Sequence, residues 1–268
     1  MAKIGVFDSG VGGLSVWKEI IALLPHVSTL YYADNGNCPY GEKSQEEVIL
    51  LANNVTKFLV SRGCGMVVVA CNTATAAAID SLRKNYYIPF VGMEPAVKPA
   101  ALNSVSGVIG VLATSGTFNG RLFQETSKRF ASDVKMIIQP GYGLVELVES
   151  GDFSSNKVFE LLHRYIDPML DAGADHLVLG CTHYPFLETA IQLVTKGKLT
   201  IVNPAPAVAL QVQRIYQSLD HAISNDQFYH FFASGNIETM QILVNQITGE
   251  MPVNENVEFS FFCNPQMD

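Results

Sequence analysis

The sequence predicts an α/β fold made of two pseudo-twofold-related α/β domains, with mainly parallel sheets and an interdomain cleft. Three observations carry this. Short apolar, β-branched-rich runs alternate with amphipathic helical patterns almost from end to end, as parallel strands buried on both faces by helices do. IGVFDSG near the N-terminus recurs as IGVLATSG, a step of 105 from Ile4 to Ile109. VVVACNTATA recurs as LVLGCTHYPF, a step of 110 from Cys71 to Cys181. Two independent segments repeating at nearly one spacing imply a duplicated unit. The carboxyl ends of its strands would face a shared cleft, the edge where such sheets bind ligands.

Strands are expected at Lys3–Phe7, Thr29–Ala33, Met66–Ala70, Val108–Leu112, Val134–Ile138, His176–Gly180 and Leu199–Val202. Helical patterns fill the gaps at Gly13–Leu24, Ser44–Val60, Thr117–Phe130, Asn156–Leu170 and Pro185–Val194. Two proline-rich pieces, MEPAVKPA (Met93–Ala100) and NPAPA (Asn203–Ala207), read as hinges. They divide the chain into one domain of residues 96–207 and another of residues 1–95 plus 208–268. The C-terminal part of the latter would add strands at Phe228–Ala233 and Val257–Phe262.

With 268 residues the chain can bury an ample core, and 48% hydrophobic against 16% charged residues describes an ordinary globular protein. No apolar run reaches the length of about 18 residues that a membrane helix needs. MAKIGVFDSG enters a strand pattern at once, without the features of a signal peptide, so a cytoplasmic location and no membrane partner are expected. A net charge of -8 argues against nucleic acid as the main partner. A small carboxylate is still a suitable ligand, because helix-start N–H groups hold it whatever the global charge. The five cysteines, Cys38, Cys64, Cys71, Cys181 and Cys263, are odd in number and contain no C-x-x-C pair. Free thiols are expected, not disulfides.

Cys71 and Cys181 are the leading candidates for chemistry. Cysteine is a common core residue, but two at repeated strand ends favour a functional pair. Each would sit where a buried strand hands over to a helix, and a helix N-terminus lowers a thiol pKa from about 8.5 toward neutrality. Asp8 and Ser9 follow the first strand in FDSGVGG. They could be turn formers and caps, or a carboxylate and hydroxyl placed near a thiol. His183, two residues after Cys181, could tune that thiol or exchange a proton with it. Cys181-x-His183 could also be half of a metal site, but no second ligand pair stands at sensible spacing, so zinc ranks low. Asn72, Thr73 and Thr182 are donors beside the sulfurs, or helix caps. DNGNCPYGEKS (Asp34–Ser44) reads as a turn-rich loop. Cys38, Cys64 and Cys263 lack repeat partners and read as structural or incidental, and Glu149 by itself reads as a solvated helix-face charge.

Together these residues resemble the glutamate racemases of the cofactor-independent aspartate/glutamate racemase superfamily. The resemblance spans essentially the whole chain. It rests on GVFDSGVGG, PYGEKS (Pro39–Ser44), ACNTATA (Ala70–Ala76), EPAVKPA, ATSGT (Ala113–Thr117), LVES (Leu147–Ser150) and GCTHYP (Gly180–Pro185), in that order. It implies racemisation of glutamate, supplying D-glutamate for peptidoglycan, with no cofactor or metal, and a homodimer. Cys71 and Cys181 would be the acid/base thiols on opposite faces of the substrate, assisted by Asp8 and His183 respectively. Ser9, Pro39, Tyr40, Gly41, Asn72, Thr73, Thr114, Thr117 and Thr182 would line the substrate site, with Glu149 at its edge. Many members carry Pro three residues before that glutamate, where this chain has Glu146, which leaves the role open between Glu146 and Glu149. The chain also starts without the N-terminal extension of members activated by a cell-wall precursor, so that regulation is not expected.

Inverting a carbon centre with two protein groups requires a base on one face and an acid on the other, each at about 3–3.5 Å. Nothing in the sequence requires pyridoxal phosphate as an electron sink. Other readings are a racemase of aspartate or hydantoins, a one-thiol decarboxylase, and a non-catalytic interaction protein. The second thiol disfavours the decarboxylase.

Overall fold

The structure is a computed structural model that describes residues 3–131, 133–219, 227–249 and 257–261. Among the described residues, ten strands form two sheets in which every pairing is parallel. The first sheet has the order β10-β9-β2-β1-β3-β4, from β1 (Lys3–Asp8), β2 (Thr29–Ala33), β3 (Cys64–Val69), β4 (Phe90–Gly92), β9 (Tyr229–Ala233) and β10 (Val257–Phe261). The second has the order β6-β5-β7-β8, from β5 (Val108–Ala113), β6 (Lys135–Pro140), β7 (His176–Gly180) and β8 (Thr200–Val202). The order β2-β1-β3-β4 in one repeats as β6-β5-β7-β8 in the other, which is the duplication read from the two sequence repeats. Of the expected C-terminal strands, Phe262 lies outside the described residues, as does Cys263.

Both faces of each sheet are buried. In β1, Ile4 and Val6 enter the large core while Phe7 enters a second cluster under the helices α2 (Gln45–Ser61) and α3 (Asn72–Asn85). In β5, Leu112 faces the large core, and Ile109 and Val111 face a third cluster. This explains why the strands read as continuous apolar runs and not as alternation. The large core contains residues of both sheets. The helix α1 (Leu14–Leu23) packs against α10 (Ala205–Ser218), so the expected boundary at 207/208 falls inside α10. The helix α4 (Val97–Asn103) packs on α6 (Arg121–Phe130), β5 and β7. No helix among the described residues is long and apolar enough to cross a membrane.

Local chemistry sets the element ends. Ser44 caps α2 through a reciprocal capping box with Glu47, each partner satisfying a backbone N–H the helix cannot. Ser155 caps α8 (Asn156–Asp171). Two expected helices are corrected. The pattern at Thr117–Phe130 divides into α5 (Ser115–Phe118) and α6, interrupted at Asn119 and Gly120, where a residue of poor helix propensity precedes a glycine. The pattern at Pro185–Val194 is a tight 3-10 turn, Tyr184–Leu187, followed by α9 (Glu188–Thr195). The remaining helices are α7 (Leu144–Glu149) and α11 (Glu238–Gly249).

Candidate active site

Cys71 and Cys181 lie beyond the carboxyl ends of β3 and β7, the equivalent strands of the two sheets. Both line one narrow cavity, together with Ser9, Pro39, Tyr40, Gly41, Asn72, Thr73, Thr114, Thr117, Thr182 and His183. Thus twelve of the fourteen candidates share one cavity wall, and the remaining two, Asp8 and Glu149, stand behind it. The cavity is continuous with an outer mouth through the shared residues Pro39, Gly41, Thr114 and Val145. Val145, on α7, was not anticipated by the sequence.

The two thiols have different surroundings. Cys71 is the N-cap of α3 and accepts a hydrogen bond from the Ala74 N–H at 3.3 Å, while its own thiol reaches Ser9 Oγ at 3.7 Å. Cys181 is followed by a turn in which the Tyr184 N–H bonds back to the Cys181 carbonyl, and its sulfur stands 3.6 Å from His183 Nδ1. The expectation that both cap helices therefore holds for Cys71 alone. The expected fall in thiol pKa is also overturned at Cys71. Burial, reinforced by the negative charge of Asp8, pushes it up to about 12, and the hydrogen bonds from Ala74 and to Ser9 recover only part. Desolvation outweighs the helix terminus because the thiolate would be enclosed.

Asp8 at the end of β1 is fully buried. Its carboxylate accepts from the Gly10 N–H at 3.0 Å and from Thr182 Oγ1 at 3.1 Å. Burial pushes its pKa up to about 6, against the attraction of His183 and the Gly10 hydrogen bond. It makes no direct hydrogen bond to Cys71; Ser9 does that, and Asp8 acts on the thiol through its charge. At the corresponding position of β5 the chain has Ala113, so the duplicated framework carries only one such carboxylate.

His183 is buried, with Nε2 at 2.5 Å from Glu149 Oε1. The same oxygen accepts from the Val11 N–H at 2.7 Å. Burial alone would depress the imidazole pKa, but contact with Cys181 and Glu149 raises it well above its ordinary value. Glu149 is therefore no solvated surface charge: only 17% of its side chain is exposed. Glu146 instead lines the outer mouth and is exposed, so Glu149 is the carboxylate that meets the histidine.

The candidate substrate-site groups come from both halves. Thr73 Oγ1 on α3 is 2.7 Å from Thr114 Oγ1, and Thr114 is 2.9 Å from Thr117. Asn72 is buried, and neither atom of its amide has a partner among the described residues. An orphaned buried amide is costly in a native fold, and this one lines the cavity with both its donor and its acceptor available. Tyr40, between Pro39 and Gly41, is held by Asp34, which accepts from Tyr40 Oη at 2.5 Å and from Ser234 Oγ at 2.7 Å. The turn-rich loop is thus a built wall, anchored by a buried carboxylate that the sequence did not single out.

Of the cysteines read as structural, Cys64 is buried at the start of β3. Cys38 is different: its sulfur, an oxygen of Glu149 and a nitrogen of His183 all lie within 4.8 Å of one another. Burial and the nearby Glu149 and Asp8 charges push its thiol pKa up.

A fold of two repeated parallel units, with one thiol from each lining a shared cavity, defines a class of enzyme that moves protons on and off a small substrate. Residues 4–212 match the Asp/Glu/Hydantoin racemase family. The chain is 47% identical over 251 residues to a glutamate racemase of Ectopseudomonas mendocina, covering 93% of this chain and 95% of that one. It is 43% identical over 267 residues to a glutamate racemase of Ralstonia nicotianae, covering 99% and 96%. The crystal structure of Escherichia coli glutamate racemase, in complex with L-glutamate and the activator UDP-MurNAc-Ala, superposes with a TM-score of 0.84 at 30% identity, covering 97% of this chain and 98% of that one. This chain belongs to the Asp/Glu/Hydantoin racemase family.

Proposed function

We propose that this chain interconverts L- and D-glutamate by a two-thiol acid/base mechanism, with Cys71 and Cys181 as the proton-transfer groups. The observation that carries the reading is that both sulfurs line one cavity, each from the equivalent strand end of its own sheet. The substrate named for the relatives, glutamate, supplies the identity of the amino acid. One sulfur takes the α-proton as thiolate, and the opposite thiol delivers a proton to the other face of the carbanion, inverting the centre. The N–H groups at the start of α3, the Asn72 amide and the hydroxyls of Thr73, Thr114, Thr117 and Thr182 hold the carboxylates. Pre-organised donors of this kind stabilise charge that grows on the substrate in the transition state.

Asp8 and His183 assist unequally. The charge of Asp8 acts on Cys71, while His183, held by Glu149, contacts Cys181 directly. Catalysis asks one thiol to ionise in a buried site, so binding must place the substrate ammonium near the sulfurs and offset the desolvation. Movement of the half carrying the second sheet against the half carrying the first would admit substrate and exclude water. A cytoplasmic homodimer supplying D-glutamate to peptidoglycan synthesis completes the proposal, and sedimentation velocity tests the dimer.

The decisive experiment incubates the purified chain with L-glutamate in deuterated water without added cofactor. Loss of optical rotation with deuterium at the α-carbon is the expected result, and Cys71→Ala or Cys181→Ala should abolish it. Racemisation at the native rate in either variant would refute the two-thiol reading. Activity on aspartate or a hydantoin with none on glutamate would move the substrate elsewhere in the family.

A further inference from the structure

We infer that Cys38, Glu149 and His183 form a binding site for a zinc-like divalent cation, at which the metal inhibits the enzyme. The three side chains come from separate parts of the chain. Cys38 stands in the loop after β2, Glu149 ends α7, and His183 follows β7. One sulfur, one carboxylate oxygen and one imidazole nitrogen lie within 4.8 Å of one another. Thiolate, imidazole and carboxylate are the donor set that zinc prefers, at roughly 2.3 Å for sulfur and 2.0–2.2 Å for nitrogen and oxygen. Ligand atoms around a tetrahedral ion at those bond lengths stand about 3.3–3.7 Å apart. Seating an ion would open the His183–Glu149 contact from 2.5 Å by about an ångström and draw the Cys38 sulfur into the same shell.

The surroundings favour a cation. The buried carboxylate of Asp8 lies near His183 and Glu149, and its negative charge also reaches the Cys38 sulfur. Sequence spacing hides the site, since Cys181-x-His183 suggests a ligand pair whereas the sulfur grouped with His183 and Glu149 is that of Cys38. On binding, the metal takes the place of the Cys38 thiol proton and of the imidazolium proton shared with Glu149, and both protons go to solvent. Three protein ligands leave a fourth position for water. The ion would hold His183 away from its work beside Cys181, so turnover falls as the site fills.

The test uses the whole chain stripped with a chelator. Titration with Co²⁺ should give a near-ultraviolet thiolate-to-cobalt absorption that saturates at one equivalent and is abolished by competing Zn²⁺. Cys38→Ala should lose that band and weaken Zn²⁺ binding on the order of 100-fold, at or beyond the usual cost of disturbing a metal shell. Cys64→Ala should behave as wild type. Zn²⁺ should inhibit racemisation of wild type, with recovery on chelation, and should inhibit Cys38→Ala far less. In unmodified protein, Zn²⁺ should slow alkylation of Cys38 as read by mass spectrometry, which keeps the test independent of any variant's folding. A cobalt band that survives in Cys38→Ala, or Cys38 alkylation unaffected by Zn²⁺, overturns the inference. Because absorption and alkylation do not depend on turnover, failure here is separable from failure of the racemase reading.

Discussion

His183 Nε2 and Glu149 Oε1 are 2.5 Å apart, joined across 34 positions of sequence, with the histidine fully enclosed. The same carboxylate oxygen accepts the Val11 N–H, so one side chain ties the loop after β1 to the loop after β7. An imidazole held this way keeps Nδ1 toward Cys181 and carries its positive charge beside that sulfur.

Glu149→Gln removes the charge but keeps the shape. The imidazole then loses one of the two contacts that raise its pKa, and its titration should move down toward the ordinary range. The kcat should drop about 100-fold, the lower end of what a positioned acid/base group contributes. Histidine NMR across pH reads the first effect, and steady-state kinetics in both substrate directions reads the second. Glu146→Gln, at the exposed mouth, should change kcat much less. Equal losses in the two variants would show that the ion pair has no special role.

Asp8 predicts a stability change opposite in sign to its effect on activity. Its folded pKa is raised from 3.8 to about 6, so the fold prefers the protonated form. The stability this group contributes is full below about pH 3.8 and is lost as pH rises through about 6. The difference at neutral pH is on the order of 3 kcal/mol. Asp8→Asn should therefore raise the unfolding midpoint at pH 7–8, with the gain shrinking as pH falls through 6 toward 4. Racemisation should fall in the same variant, a common trade at active sites. Denaturant melts at four or five pH values would decide it; a gain that grows as pH falls has the wrong sign.

Cys71 should react as a buried, protonated thiol. With its pKa pushed up to about 12, the thiolate fraction should rise about tenfold per pH unit through the mildly alkaline range. Alkylation of the Cys71 peptide by iodoacetamide, followed by mass spectrometry, should show that slope without a plateau below pH 9. Asp8→Asn should speed the reaction, because the Asp8 charge is the second cause of the raised value. A plateau near neutrality would restore the helix-terminus expectation.

The parts of the site that the sequence revealed are those written in local signals. An apolar run ending in cysteine places Cys71 and Cys181 at strand ends, and the repeat places those ends in equivalent strands. What stayed hidden depends on packing. Glu149 looks like a surface charge because its helix pattern cannot show that the last turn of α7 meets the β7 loop. Cys38 looked incidental because it has no repeat partner, yet the loop returns it to His183. The helix-start position of Cys71 was legible, but the degree of burial that reverses its pKa shift was not. Likewise, the helical periodicity of residues 117–130 gave no weight to Asn119 and Gly120, which break it.

Gly12 tests whether the geometry behind His183 tolerates any displacement. A Cβ placed there would lie 2.6 Å from Thr182 Oγ1 and 2.7 Å from His183 Cε1. Neither neighbour can step aside freely: both are buried, Thr182 donates to Asp8, and His183 is paired with Glu149. Overpacking of this kind costs typically about 1–3 kcal/mol, and here the strain falls on the imidazole that contacts Cys181. Gly12→Ala should fold with native circular dichroism, melt earlier, and lose kcat about 100-fold, since misplacing a catalytic group by about 1 Å carries that cost. The KM for glutamate should change less than kcat, because Thr182 is the one hydroxyl handle the new Cβ meets, while Asn72, Thr73, Thr114 and Thr117 lie on other segments. A variant with wild-type kcat would mean that His183 can move without consequence, and its role beside Cys181 would have to be abandoned.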